Sequence, residues 1–230
     1  IIHTFLSNSG AFFMKRSFRD DLLYKSIFNE YVQYLASEGH SIEFFLEGTR
    51  ARGGKMLKPK YGLLKILTDS YFQKKTENLY FVPVTVNYSR VLEGETFPLE
   101  LLGESKVKES LSRILNTSRY INMDFGQIYV EFTKPINFRE YVQKKMVESG
   151  LNPQVNKEDR KLITSSLGLD IINTLTDNLL IMPTSICSSI LLMHRKGISD
   201  QELTKQVGYL IEELKLRNAI MPAFSQNSKI

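Results

Sequence analysis

The sequence predicts an α/β domain, a mixed sheet flanked by helices, followed by a helical C-terminal region. Three observations carry that prediction. Short apolar runs alternate with amphipathic stretches through the first two-thirds of the chain, strand patterns stop after Asn137, and a polar segment containing Gly150 and Pro153 runs from Ser149 to Lys157. The expected division is an α/β unit over 1–148 and a helical region over 149–230.

Ala11 to Met14 is a compact apolar run after Gly10, long enough for a short buried strand. Asp20 to Ser37 then sets Leu22, Leu23, Ile27, Phe28, Tyr31, Val32 and Leu35 at helical spacing, and Gly39 ends that helix. Ile42 to Leu46 returns to strand before a glycine- and arginine-rich loop from Glu47 to Lys58. A second helix is expected over Tyr61 to Phe72, with Leu63, Leu64, Ile66 and Leu67 inward. Leu79 to Tyr88 alternates as a strand, Glu104 to Tyr120 reads as helix, and Gln127 to Phe132 is another strand before Pro135. Beyond the polar segment, helices are expected near Glu158–Leu175, Thr184–Met193 and Asp200–Arg217. Ser199 with Glu202 forms a capping-box signal for the last.

Composition narrows the class. The chain has 230 residues, 42% hydrophobic and 24% charged, enough to bury a core without covalent staples. Its single cysteine, Cys187, excludes an internal disulfide framework and a cysteine-based zinc cluster, and reads as a packed thiol. The most apolar stretch, Leu179 to Met193, is interrupted by Pro183, Thr184, Ser185, Ser188 and Ser189, and so does not read as a spanning helix. The formal charge of +5 is mildly basic and favours phosphate-bearing or anionic partners.

That charge is concentrated. Arg50, Arg52, Lys55, Lys58, Lys60 and Lys65 lie together with no acid between Arg50 and Lys65. Guanidinium forks grip phosphate oxygens in pairs, whereas lysine acts as a point charge. The run leaves an expected strand end through Glu47-Gly48-Thr49, an acid placed to fix Arg50 beside a glycine that permits close backbone approach. A second pair, Lys15-Arg16, leaves another expected strand in the same way. Strand ends that deliver cations are where α/β proteins build sites.

Phe45-Leu46-Glu47-Gly48-Thr49-Arg50-Ala51-Arg52 resembles the third conserved block of the glycerolipid acyltransferases, F-x-E-G-T-R-S-R, with alanine in place of serine. Gly10-Ala11-Phe12-Phe13-Met14-Lys15-Arg16 resembles the second block, and Val82-Pro83-Val84-Thr85-Val86 the fourth. The three occur in family order across roughly Ser9 to Tyr88. The wording Ser9-Gly10-Ala11-Phe12-Phe13-Met14 is most like the dihydroxyacetone-phosphate acyltransferases of ether-lipid synthesis, with glycerol-3-phosphate acyltransferases as near neighbours.

The resemblance implies transfer of a fatty acyl group from acyl-CoA, as co-substrate, to a hydroxyl of dihydroxyacetone phosphate or glycerol-3-phosphate. No metal and no other cofactor is implied. By the same resemblance Arg16, Arg50 and Arg52 bind the acceptor phosphate, while Lys15 and Lys55 add positive field. Glu47 orients the arginines or the acceptor hydroxyl, Gly48 and Thr49 form the adjoining loop, and Pro83 shapes the acyl-CoA side of the cleft. The implied setting is a membrane surface, the matrix face of the peroxisomal membrane, with the mitochondrial outer membrane as the alternative. Ser228-Lys229-Ile230 resembles the S-K-L peroxisomal address, which agrees with the first.

The family's general base is the histidine of an H-x-x-x-x-D block, oriented by its aspartate. No histidine here fits it. Five positions after His3 stands Asn8, no acid lies at that offset from His40, and His194 is followed there by Ser199. The chain starts Ile1-Ile2-His3 without methionine and is expected to be N-terminally incomplete, with the catalytic pair upstream. A non-catalytic module that binds anionic lipid or another polyanion through the Arg50–Lys65 cations is the competing class, predicting strongly salt-dependent binding. No nucleic-acid module pattern appears, and nucleic acid is not an expected partner.

Overall fold

The structure is a computed structural model and describes residues 2–15, 21–49, 55–89, 102 and 126–222. Helices α1 (Ile2–Asn8), α2 (Leu22–Ser37) and α3 (Gly62–Phe72) precede strands β1 (Tyr80–Phe81), β2 (Val84–Tyr88), β3 (Ile128–Phe132) and β4 (Ile136–Asn137). Helices α4 (Phe138–Ser149), α5 (Lys157–Asp177), α6 (Pro183–Met193) and α7 (Asp200–Leu216) follow. The helix expected over Glu104–Tyr120 lies outside the described residues.

Helix α2 starts where Asp21 Oδ1 accepts from the amide of Tyr24 at 2.9 Å, satisfying one donor of the first turn. It ends before Gly39, whose φ of +80° suits a residue without Cβ. Phe28, Val32 and Ala36 recur every four residues and so bury one face. Gln33, also buried, donates to the carbonyl of Ile66 at 3.3 Å and thereby ties α2 to α3. Helix α5 crosses α3 with the Thr68 and Thr164 hydroxyls bonded at 2.9 Å. Gly168 permits that approach, because a Cβ there would stand 2.7 Å from the Tyr61 ring.

Helix α4 is absent from the expected elements, yet its local signals are present. Phe138, Tyr141, Val142 and Met146 fall at helical spacing, the Asn137 side chain caps the helix, and Gly150 ends it at φ +65°. Phe138 is fully buried and packs edge-on against Tyr71, Phe72 and Phe81 at ring-centroid distances of 5.2, 5.7 and 5.7 Å. Burial of such a ring contributes about 2–3 kcal/mol.

The strands form two antiparallel pairs, β1 with β4 and β2 with β3, in place of the expected mixed sheet. Proline explains the break between them. Pro83 has no N–H for a ladder, and its carbonyl instead accepts from both the amide and the hydroxyl of Thr133, each at 3.0 Å. In the longer ribbon Val84 faces Phe132, Val86 faces Val130 and Tyr88 faces Ile128, six exposed side chains on one surface. The opposite surface buries Thr85, whose hydroxyl donates to the carbonyl of Asn178 at 3.3 Å.

Two expected strands are not strands here. Residues 11–15 and 41–45 make no ladder among the described residues. They keep the character that suggested strands. Phe12 lies on α2, 5.8 Å from the Tyr31 ring and 6.2 Å from that of Phe28. Ile42, Phe44 and Leu46 turn toward the core while Glu43 and Phe45 face out. An alternating segment becomes a strand only where a neighbour takes up its backbone groups.

Apolar burial falls into two clusters. One gathers residues from Phe28 to Ile172, so α4 and α5 share a core although the polar segment expected as a boundary lies between them. Pro153 within that segment is buried. The other cluster centres on Ile186, Ile190 and Val207 of α6 and α7, with the thiol of Cys187 packed beside them. The amide of Ile181 donates to the carbonyl of Ile220 at 2.8 Å and closes the base of this helix pair.

Candidate functional site

The cation-rich loop is built on a pinned frame. Leu46 is buried, and its carbonyl accepts from the amide of Lys60 at 2.8 Å. One residue on, Glu47 Oε2 accepts from the amide of Leu57 at 2.7 Å. These two bonds bring the start and the end of the loop together, and the sequence between them carries Arg50, Arg52 and Lys55. Gly48 turns the chain at φ +62° and donates to the carbonyl of Phe45 at 3.0 Å. A Cβ at Gly48 would approach Lys60 Cδ to 2.9 Å, which the flexible lysine side chain can relieve, so it is the left-handed conformation that favours glycine here.

Thr49 and Lys55 are exposed, Glu47 is half-buried, and Arg16, Arg50 and Arg52 lie outside the described residues. Loop closure by Glu47 is a role that sequence reasoning missed. A carboxylate that accepts from an amide ten residues away leaves no periodic trace.

Lys15, the described cation of the second block, is engaged. Its Nζ donates to Asp21 Oδ2 at 2.7 Å and sits 4.6 Å above the Tyr24 ring, while its amide donates to the Tyr24 hydroxyl at 3.1 Å. The hydrogen bond to Asp21 holds the Lys15 ammonium above the ordinary lysine value, against a smaller effect of desolvation. Asp21 is held below the ordinary carboxylate value, by Lys15 first and then by the Tyr24 amide. Asp21 thus caps α2 with one oxygen and anchors Lys15 with the other. This fixes the end of the second block against the start of α2.

Pro83 is buried, with its carbonyl committed to Thr133. It therefore sets the bend between the two ribbons. A cavity of about 320 Å³ lies against the far surface of the longer ribbon, lined by Thr85, Asn87, Glu131, Asn178, Leu180 and Ile220 among others. Thr85 of the fourth block lines it, but none of the described candidate site residues (Lys15, Glu47, Gly48, Thr49, Lys55 and Pro83) does.

The histidines occupy other places. His40 is exposed after Gly39, and His194 Nε2 pairs with Gln206 Oε1 at 2.9 Å between α6 and α7. Among the described residues no group of three or more His, Cys, Asp or Glu side chains is placed to hold a metal ion. No described helix is long and apolar enough to cross a membrane.

Two family models match the chain. One described as acyltransferase matches residues 1–87, and one described as glycerol-3-phosphate acyltransferase C-terminal region matches residues 99–229. A dihydroxyacetone phosphate acyltransferase from Oryctolagus cuniculus is 34% identical over 217 residues, covering 91% of this chain and 32% of the relative. Its counterpart from Homo sapiens is 33% identical over 212 residues, covering 89% and 31%. A glycerol-3-phosphate acyltransferase from Pseudomonas aeruginosa (strain UCBPP-PA14) is 34% identical over 210 residues, covering 90% and 25%. The chain spans about a third or less of the length of these curated relatives.

Proposed function

The chain belongs to the glycerol-3-phosphate acyltransferase family, whose C-terminal-region model matches more than half of it, and from that premise we propose a function in acyl transfer. The protein carrying this chain moves a fatty acyl group from acyl-CoA to the hydroxyl of dihydroxyacetone phosphate, in ether-lipid and glycerophospholipid synthesis. Glycerol-3-phosphate is the alternative acceptor, favoured by the family model and by the named activity of the Pseudomonas relative.

The observation that carries the reading is the Glu47-Gly48-Thr49-Arg50-Ala51-Arg52 block on a loop whose ends are pinned by Glu47 and Leu46. Arg16, Arg50 and Arg52 grip the acceptor phosphate, with Lys55 supplying field. Lys15, tied to Asp21, acts chiefly by positioning its neighbour Arg16. Gripping a phosphate remote from the reacting hydroxyl holds that hydroxyl in attack geometry and lowers the entropic part of the barrier.

In the transfer, a general base takes the acceptor hydroxyl's proton and the oxygen attacks the thioester carbonyl. The carbon–sulfur bond then breaks, a carbon–oxygen bond replaces it, and CoA leaves as the thiol. The base in this reading is the histidine of an H-x-x-x-x-D pair outside the present 230 residues. Residues 1–148 supply the acceptor grip, Pro83 shapes the acyl-CoA side, and the product is released to a membrane surface. That surface is the matrix face of the peroxisomal membrane, or the mitochondrial outer membrane in the alternative. Support for this placement is the ether-lipid resemblance of residues 9–14.

The test is acyl transfer from palmitoyl-CoA to each acceptor by the full-length protein and its Arg50→Ala variant. Loss of a bidentate, charge-assisted contact lowers kcat/KM for the acceptor about a hundredfold with little change in KM for acyl-CoA. Inactivity of the parent toward both acceptors defeats the enzyme reading, and an unaltered Arg50→Ala defeats the phosphate grip.

A further inference from the structure

The C-terminal end of α6, where the chain turns toward α7, presents apolar side chains that its own cluster does not cover. Leu192 is 76% exposed and Met193 75%, with Leu191 beside them at 48%. Arg195 and Lys196 follow at once, both exposed and without an ion pair among the described residues. The turn is firmly held. Ile190 and Ile198 pack into the cluster on either side, Gly197 turns at φ +97°, and His194 is bonded to Gln206 across the helix pair. Leu192 and Met193 therefore stay outward while their neighbours face in.

We propose that this tip docks on an anionic lipid surface. Leu191, Leu192 and Met193 enter the boundary between headgroups and acyl chains, and Arg195 and Lys196 lie on the lipid phosphates. Three exposed apolar side chains at the end of a helix are too small for a stable protein interface, but they suffice for shallow interfacial insertion when cations stand beside them. The nearest acids, Asp200 and Glu202, occupy the first turn of α7, where the helix N-terminus offsets their charge. Glu202 Oε1 also accepts from the Gln206 side chain at 2.9 Å. With no described helix able to span a bilayer, contact by this part of the chain is interfacial. The proposal rests on the acyl-transfer reading only for why a lipid surface lies within reach.

The chain contains no tryptophan, so a single introduced indole reports its own position. Leu192→Trp places one at the tip. Leu216→Trp places another at an exposed site at the far end of α7, about 25 Å along the helix. Vesicles of phosphatidylcholine, with and without phosphatidylserine, are titrated against each, and circular dichroism establishes that each variant is folded. The expected result is a blue shift, and quenching by brominated lipid, for Leu192→Trp with phosphatidylserine vesicles and none for Leu216→Trp. Joint reversal, Arg195→Glu with Lys196→Glu, weakens partition at least about tenfold. Leu191→Ser with Leu192→Ser does the same in cosedimentation, which needs no fluorophore. No shift at the tip, equal shifts at both sites, or partition indifferent to charge reversal overturns the proposal. Acyl transfer is assayed separately on the full-length protein, which carries the base in the acyl-transfer reading. Tip binding by this chain with no transfer by the full-length protein therefore defeats the enzyme reading alone, and transfer with no tip binding defeats the tip alone.

Discussion

The cluster around Phe138 draws its members from residues as far apart as Phe28 and Ile172, whereas the C-terminal cluster closes within α6, α7 and their flanks. The first holds the frame of the cation-rich loop: Leu46 is part of its core, and Phe12, Ile42, Phe44 and Met56 pack against it. The second carries none of the family's motifs and has three buried residues at its centre. The difference teaches where each kind of damage registers. A core assembled from distant segments transmits its loss to every loop mounted on it, while a local helix pair can loosen alone.

The sharpest way to break that contrast is Phe138→Ala. Removing a fully buried ring that packs against four others costs about 3–5 kcal/mol. Hydrogen exchange is expected to rise across α2, α3 and α5 together while α6 and α7 keep their protection. Equal acceleration in the C-terminal pair would show the two clusters to be one cooperative unit.

A second experiment acts on the frame without touching its core. Glu47→Ala removes the acceptor for the Leu57 amide, and Glu47→Gln keeps an acceptor without charge. The alanine variant is expected to lose about 1–2 kcal/mol in urea unfolding, with glutamine restoring more than half. Acceptor KM follows the same order if loop closure is the carboxylate's role. A glutamine variant as stable as the parent but with acceptor KM as high as alanine's would move Glu47 from frame to direct contact.

Tyr141 provides a smaller, pH-resolved probe of the first cluster alone. Its hydroxyl donates to Asp170 Oδ2 at 2.6 Å, joining α4 to α5, and Lys145 stands 5.3 Å from its ring. Burial, then the Asp170 hydrogen bond, pushes the phenol above its ordinary value. The sign follows from proton counting. Above about pH 10 the unfolded chain releases the phenolic proton while the folded chain retains it, so stability is full below that pH and falls as pH rises past it. Tyr141→Phe is expected to cost about 1 kcal/mol at pH 7 and to flatten the decline between about pH 9 and about pH 11. Parallel curves for the two proteins over that range would contradict the assignment.

Much of this was legible in local pattern, and what was not depended on distant partners. Leucines and phenylalanines at helical spacing, bounded by Asp21 and Gly39, define α2, and Ser199 marks the start of α7. The Glu47–Arg52 block marks the cation-rich loop without any coordinates. Alternation in Ile42–Leu46 correctly orients its side chains but says nothing of a ladder partner. Helix α4 went unread because its apolar residues are few among Arg139, Glu140, Gln143, Lys144 and Lys145, although Asn137 and the Phe138–Met146 spacing were there to find. The pairing of Lys15 with Asp21 was hidden by the second duty of Asp21 as a helix cap.

The weakest lever is the one placed on the second cluster. Ser199 Oγ accepts from the amide of Glu202 at 3.3 Å, but the reciprocal half of the capping box is not made, since Glu202 turns to Gln206. Ser199→Ala is therefore expected to cost about 1 kcal/mol, the ordinary value of a single side-chain cap. In the Phe138 core such a loss would be diluted over many long-range contacts. In the helix pair it falls on three buried side chains and one backbone tie, Ile181 to Ile220. Exchange at the first turns of α7 should accelerate about fivefold, with α2 and α3 unmoved. Acceleration that spreads into α5 would mean that the pair relies on the first cluster for its stability.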